Sequence, residues 1–226
     1  MVERRPTRAE TILSAIRDDI LNGHLAPGTQ LAFADMSKRY AASTGVLREV
    51  LPRLVEQGLA TSQPQLGFRV IELSIRELQH LTEARAVIES LIFEQSIVSG
   101  DLDWEAEVVA VHHRLSQLPT IGEDGELDHD WLSTHRRFHQ VLLAGCENAR
   151  LREVAERLRD ASEVYRCWSV RSTDELALRD EEHRRLATLA VKRDVAGASQ
   201  ALRDHIVKTT EVLIDNQRRK TGMTSA

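Results

Sequence analysis

The 226-residue sequence has few cysteines, aromatic residues and turn-forming residues. Its two cysteines, Cys146 and Cys167, are too few for a disulfide framework or a cysteine-rich metal site, and they fit a reducing compartment. Aromatic residues make up 4% of the chain, and 11 glycines and 5 prolines are fewer than the turns of a β-sandwich or barrel require. These scarcities favour a helical fold of one large or two small domains.

Long apolar runs and an apolar signal segment are also absent. The N-terminus is charged, and apolar stretches such as 108–111 are far too short to span a bilayer. We therefore expect a soluble cytoplasmic protein that makes no membrane contact.

The chain has no overall excess of positive charge. Its net charge is −5 and its pI is about 6.0, which argues against nucleic-acid binding by bulk charge. Residues 1–72, however, hold nine Lys and Arg against eight Asp and Glu, which leaves 21 and 27 for the remainder. The N-terminal part is therefore at +1 and the rest at −6, so the N-terminal part remains able to approach an anion.

Residues 1–73 have the pattern of a winged helix-turn-helix domain. Ile12, Ile16 and Ile20 recur at helical spacing, and the run stops at Asn22, a good helix terminator. Shorter apolar patterns separated by turns follow this helix. They predict helices at 34–40 and 44–57 and a two-stranded wing from 59–61 and 67–71.

Residues 74–226 have helical periodicity throughout. Ser74 and Glu77 form a capping box ahead of an apolar stripe that runs to Gly100. Further helices are predicted at about 102–117, 127–145, 149–170, 174–193 and 195–220, with a loop at 120–125. The sequence thus predicts a mostly α protein, with an N-terminal winged helix-turn-helix and a C-terminal all-α six-helix bundle.

The third predicted helix is the candidate recognition helix, whose N-terminal residues would meet base edges in the major groove. Arg48 is the best candidate because its planar guanidinium binds guanine or phosphate through two hydrogen bonds. Pro52 removes an amide donor inside this helix and predicts a kink beyond the reading turn. Taken singly, each charge is more simply a solvated surface residue, but their shared placement favours function. The candidate DNA-binding residues are Lys38, Arg39, Ser43, Thr44, Gly45, Arg48 and Gly67.

Four of the nine histidines occupy positions that suit a metal site. His135 and His139 are one helical turn apart on one face, a spacing that lets two imidazoles bind one ion. His183 and His205 lie on two later helices, at the edges of apolar stripes. Projected into a bundle interior, the four imidazoles would hold Zn²⁺, Ni²⁺ or a similar ion. The alternative is that they only form hydrogen bonds at the edge of the core.

Three segments resemble the DNA-binding domain of the GntR family of transcription regulators: LNGHLAPGTQL (21–31), STGVLREVLPRLVEQGLA (43–60) and QLGFRV (65–70). The C-terminal part resembles the helical FCD domain of the FadR subfamily, with the CsiR-like branch nearest. The resemblance implies a DNA-binding domain at 1–73 and an effector and dimerisation domain at 74–226. It also implies a homodimeric repressor that binds an inverted-repeat operator and responds to a small metabolite. Thr44 replaces an arginine of the family, so one base or phosphate contact is expected to be missing.

FCD domains of the metal-binding kind use an Asp-x-x-x-His pair and two later histidines. His139, His183 and His205 fall on the histidine positions, and His135 falls on the aspartate position. The resemblance therefore implies a divalent metal, with zinc as the first choice. Four neutral imidazoles leave the +2 charge of the ion uncompensated, so we expect the site to bind an anion such as a small carboxylate.

Arg85 matches an arginine that lines the cavity in relatives and would clamp the carboxylate of the effector. The alternative for Arg85 is an ion pair with Glu89, one turn further along the helix. Tyr165, Arg166 and Asn148 are weaker candidates for the same cavity.

Two functions compete for these residues. The first is a metabolite-responsive, metal-containing repressor, in which metal and carboxylate change the spacing of two DNA-reading heads. The second is a metal-dependent hydrolase or oxygenase built on a helical bundle. None of these four histidines belongs to a Glu-x-x-His pair, and the chain lacks an H-E-x-x-H sequence and any nucleophile motif. A scaffold with structural histidines is a third, weaker alternative. The sequence therefore predicts a regulator and not an enzyme.

Overall fold

A computed structural model of the chain describes residues 6–122, 127–167 and 173–220. The chain divides into two compact units. The first comprises Met1–Ser74 together with Asp160–Trp168, and the second comprises Ile75–Arg159 and Ser169–Ala226. Among the described residues, no helix is both long and apolar enough to cross a membrane.

The first unit contains three helices and a hairpin, as predicted. Thr7 begins the first helix with a capping box to Glu10, and Asn22 ends that helix ahead of Gly23 at φ 80°. Apolar side chains at helical spacing pack these elements together, and Ile16, Ile20, Leu47, Leu51 and Leu54 are fully buried. The helices are α1 (Arg8–Leu21), α2 (Phe33–Tyr40) and α3 (Thr44–Glu56).

The predicted wing is present as an antiparallel pair of strands, β1 (Ala60–Gln63) and β2 (Gly67–Val70). Ala60 lies opposite Val70, and Gln63 lies opposite Gly67. The turn between the strands requires the left-handed region at Gly67, where φ is 80°.

Pro52 lies inside α3, which continues as one helix to Glu56. The proline is exposed, so water can hydrogen bond to the Arg48 carbonyl that the missing amide leaves without its helical donor. The reading turn at the start of α3 precedes this position. The kink that the sequence predicts at Pro52 stays a prediction.

The remaining six helices confirm the predicted bundle composition. They begin and end within a few residues of the predicted bounds, and α7 contributes to both units because Asp160–Trp168 groups with the first. Residues 123–126 of the predicted loop lie outside the described residues. The helices are α4 (Ile75–Ser99), α5 (Leu102–Gln117), α6 (His129–Leu142), α7 (Ala149–Cys167), α8 (Thr173–Val191) and α9 (Val195–Lys220).

Helices α4 and α9 pack antiparallel to each other, and this packing determines which turn of α4 lies beside His205. The Thr82 hydroxyl lies 2.6 Å from the Thr210 hydroxyl, and the Ser90 hydroxyl donates to the Ser199 carbonyl at 3.5 Å. Between these contacts, the antiparallel register places His205 level with the turn of α4 that carries Arg85.

Candidate metal centre and DNA-reading surface

The four predicted histidines come together in the second unit. His135 and His139 project from successive turns of α6, His183 from α8 and His205 from α9. All four are at most 3% exposed, and one ring nitrogen from each lies within 4.8 Å of the others. Helix α6 begins where Asp128 accepts a hydrogen bond from the Trp131 amide, which sets the face that carries the first two histidines. The pair predicted from helical spacing and the two later histidines thus come together in one buried cluster.

The ring geometry fits ligands of a single ion. The Nε2 atoms of His135 and His139 are 3.2 Å apart. Two nitrogens on one tetrahedral zinc, each about 2.0–2.1 Å from the ion, lie about 3.3 Å apart. The ring centre of His183 is between 4.9 and 5.4 Å from those of the other three histidines. The donor set is all nitrogen, which suits zinc, nickel and similar ions.

Stacking contacts hold three of the four rings in place. Trp131 stacks on His135 with ring centres 4.8 Å apart, and His139 stacks on His205 at 5.1 Å. Trp131 is itself buried. This packing leaves the imidazoles little rotational freedom.

A carboxylate that sequence reasoning missed touches the cluster. An oxygen of Glu182 lies 2.8 Å from Nδ1 of His205, and its other oxygen lies 2.7 Å from Nζ of Lys208. Burial raises the pKa of Glu182, but the hydrogen bonds from His205 and Lys208 outweigh burial and lower it. Glu182 directly precedes His183 in the sequence, but that adjacency alone gives no sign of a contact with another helix.

Arg85 forms the ion pair with Glu89 that the sequence left open as the alternative to an effector contact. Its Nε donates to Glu89 at 2.7 Å, and Nη2 of Arg159 donates to the other Glu89 oxygen, also at 2.7 Å. All three side chains are buried. Burial raises the pKa of Glu89, but the two arginines outweigh burial and lower it. The triad therefore carries one net positive charge inside the protein.

The other candidate effector residues have different partners. The Tyr165 hydroxyl accepts from the Ser74 amide at 3.4 Å, and Arg166 pairs with Glu163 at 2.9 Å. Asn148 is exposed and accepts hydrogen bonds from amides in the first turn of α7. Tyr165 and Arg166 belong to the segment that groups with the first unit. Their effector roles, and that of Asn148, stay predictions.

The first turn of α3 presents an exposed, nearly uncharged surface with one arginine. Thr44, Gly45 and Arg48 are exposed there. Ser43 caps α3 by accepting from the Val46 amide at 3.4 Å. A side chain at Gly45 would come no closer than 3.8 Å to the Ser43 hydroxyl, so this position is open to a partner. Arg48 is therefore an exposed cation at the start of α3, and its role as a DNA contact stays a prediction.

Two of the other predicted DNA-contact positions are accessible, and a third is already paired within the protein. Lys38 is exposed, and Gly67 lies at the tip of the wing with open space around it. Arg39 donates twice to one oxygen of Asp19, which also accepts from the Tyr40 hydroxyl. Burial raises the pKa of Asp19, but hydrogen bonds from Tyr40, His24 and Arg39 lower it overall. Arg39 therefore presents a charge that Asp19 already partly neutralises.

Comparison with known proteins assigns both units. Residues 8–70 match the gntR family of bacterial regulatory proteins, and residues 80–208, more than half of the chain, match the FCD domain. The chain is 33% identical over 202 residues to the HTH-type transcriptional repressor GlaR of Escherichia coli (strain K12), across 88% of this chain and 92% of that protein. It is 34% identical over 206 residues to the HTH-type transcriptional regulator BphR of Paraburkholderia xenovorans (strain LB400), across 90% and 84%.

Solved structures agree with this fold. Escherichia coli McbR/YncC superposes with a TM-score of 0.79 at 18% identity, over 94% of this chain and all of that one. The matched families and relatives are transcription regulators and not enzymes, which confirms the predicted class and sets aside the helical-bundle enzyme. The chain belongs to the GntR family of bacterial transcription regulators, in the group that carries an FCD domain.

Proposed function

We propose that this regulator is a cytoplasmic repressor that binds an inverted-repeat operator as a homodimer, and that its FCD domain binds a transition metal and a small carboxylate. The observation that supports a metal site is the buried cluster of four histidines from three helices. Zinc uptake by the metal-stripped chain in equilibrium dialysis tests this part, with a single ion per chain as the expected result. No uptake would refute it.

The donor set favours zinc, with nickel as the alternative. Imidazole nitrogen suits late transition metals, whereas magnesium and calcium require oxygen ligands. The stacked and edge-on rings supply a preformed arrangement of ligands, so little ordering is needed when the ion binds. A bound ion would supply positive charge, and expansion of its coordination beyond the four imidazoles would admit an anionic ligand.

Charge in the bundle supports a carboxylate effector. The four imidazoles are neutral ligands, and Glu182 shares its negative charge with Lys208. The turn of α4 that carries Arg85 is level with His205 on α9, and the triad of Arg85 with Glu89 and Arg159 has one net positive charge. An anion near both groups would offset buried positive charge in a medium of low dielectric constant. Arg85 would attract this anion electrostatically while it remains paired with Glu89.

The DNA-reading role of Arg48 gives a prediction for the first unit. Arg48→Ala is expected to weaken binding to an operator fragment from upstream of the gene by about 1–3 kcal/mol, or roughly 5- to 150-fold, for each half-site that the homodimer contacts, because a two-pronged base or phosphate contact is lost. Fluorescence anisotropy at fixed salt measures this change, and metal content should stay the same.

Arg53→Ala provides the matched control, since it removes the same charge from the last turn of α3. Its effect on operator affinity is expected to be small. Equal losses in the two variants would show that only bulk charge matters, and unchanged affinity in Arg48→Ala would refute its assigned role.

An apolar stripe on α4 supports the homodimer. Val87, Leu91 and Val98 are exposed and lie on one face of the helix, at spacings of four and seven residues. Three large apolar residues in one exposed row are typical of a protein interface. A second copy of this chain is the occupant that an inverted-repeat operator requires, because two heads must read two half-sites.

Val98→Glu is expected to convert the dimer to monomer in sedimentation velocity, because the interface would have to bury a charge. Val98 is 70% exposed, so the fold itself should tolerate the change. Val109→Glu, on α5 and 51% exposed, is the control and should leave the dimer intact. A dimeric Val98→Glu protein would contradict the assignment of this face.

A further inference from the structure

We infer that Glu182 is a positioning residue that orients His205 for the metal and tunes how strongly the site holds both metal and anion. This inference rests on the proposed metal site. It starts from a contact between two helices, the 2.8 Å approach of a Glu182 oxygen to Nδ1 of His205. Nothing in the spacing of the histidines requires this carboxylate.

The contact determines which nitrogen of His205 faces the cluster. An ionised carboxylate only accepts hydrogen bonds, so Nδ1 of His205 must carry the proton and donate it. A neutral imidazole then has its lone pair on Nε2, the atom available as a metal ligand. His139 uses the same edge, since its Nε2 faces Nε2 of His135. Glu182 therefore holds His205 in the tautomer and orientation that bind an ion.

The position of Glu182 on α8 ties two ligands together. The next residue is His183, whose ring centre lies 5.0 Å from that of His205 on α9. One short stretch of α8 thus supplies a ligand directly and fixes a second through a hydrogen bond. Glu182 is 21% exposed, so it lies at the edge of the cluster and not among the four rings.

The same carboxylate affects charge at the site. It is a negative group in contact with a histidine of the cluster, and its other oxygen lies 2.7 Å from Nζ of Lys208. A full negative charge there would strengthen His205 as a ligand and weaken attraction for an anionic effector. Lys208 moderates both effects. Glu182 and Lys208 therefore set a balance between metal affinity and anion affinity.

The first test compares zinc affinities by competition with a chelator of known affinity. Glu182→Leu is expected to weaken zinc binding about 10- to 100-fold, as removal of an outer partner of a ligating histidine typically does. Glu182→Gln keeps an acceptor but removes the charge, so it should recover part of this loss. Glu181→Gln is the matched control, because Glu181 is the preceding residue, is 63% exposed and pairs with Arg184. Its zinc affinity should equal that of wild type.

The second test uses changes of opposite sign, which a merely structural role would not produce. Zinc-loaded Glu182→Gln should bind acetate more tightly than zinc-loaded wild type, since less negative charge opposes the anion. Lys208→Met should raise zinc affinity about two- to fivefold, the usual size of a half-exposed ion pair. Lys208 is 47% exposed, so this variant should fold even if Glu182→Leu does not.

The outcomes separate this inference from the proposal beneath it. If wild type binds no zinc, the metal site fails and the inference fails with it. If wild type binds zinc and both Glu182→Leu and Glu181→Gln match it within twofold, the site stands and the role of Glu182 is overturned. If Glu182→Leu does not fold, Lys208→Met decides: a rise in zinc affinity supports the inference, and unchanged or weaker affinity overturns it.

Discussion

A His139→Ala, His183→Ala double variant is expected to bind no zinc under conditions in which the wild-type chain binds a single ion. The two residues supply ligands from different helices, and their rings lie 5.4 Å apart in the buried cluster. Two imidazoles would remain, too few to compete with water and buffer for the ion. Metal analysis after equilibrium dialysis measures the loss directly. Zinc should also raise the melting temperature of wild type and leave the double variant unchanged.

The matched control for this result removes two histidines from the surface of the same unit. His80 and His113 are exposed on α4 and α5, so His80→Ala, His113→Ala should retain full zinc binding. Equal metal content in the two double variants would mean that zinc is held elsewhere, and the histidine cluster would then be a core packing feature.

The largest expected loss of stability follows from Glu89→Gln. Glu89 is fully buried and is the carboxylate between Arg85 and Arg159, each 2.7 Å away. Without its charge, two buried guanidinium groups lose the carboxylate that they share, and the free energy of unfolding should fall by about 3–5 kcal/mol. Urea unfolding measures this change. Glu107→Gln removes a carboxylate from the exposed Arg137 pair and should change stability by less than about 0.5 kcal/mol.

The change of protein stability in acid provides a second test of the Arg85–Glu89–Arg159 triad. The two arginines hold the pKa of Glu89 below its ordinary value of 4.5, despite burial, which raises it. Its ionised form therefore stabilises the fold fully above pH 4.5, and that stabilisation is lost as pH falls through the lowered pKa. The stability difference between wild type and Glu89→Gln should be constant from about pH 7 to pH 5 and narrow below that. A difference that widens in acid would contradict this assignment.

The parts of the fold that could be predicted from the sequence depend on contacts between neighbouring residues, such as helix caps. Thr7 with Glu10, and Asn22 with Gly23, mark the ends of α1 through caps that involve only neighbouring residues. The same holds for Asp194, which accepts from the Gly197 amide in the first turn of α9. The histidine cluster was predictable because His135 and His139 share one face of a helix, the two later histidines lie at the edges of apolar stripes, and the resemblance matches three of the four to ligand positions.

Contacts between distant residues account for what could not be predicted. Arg85 could face an effector or Glu89 by sequence alone, and the choice depends on Arg159, far away in the chain, which completes the triad. Glu182 gives no local sign that it reaches α9. Long-range pairing also explains why Asp160–Trp168 groups with the first unit, since Asp160 pairs with Arg17 at 2.5 Å.

The central claim is that four imidazoles of the FCD domain hold one metal ion that receives a carboxylate. X-ray absorption at the zinc edge of the loaded wild-type protein tests it most directly. We expect four imidazole nitrogens about 2.0–2.1 Å from zinc, with an added oxygen neighbour when acetate is supplied. A sulfur neighbour at about 2.3 Å, or fewer than four imidazoles, would contradict the four-histidine site.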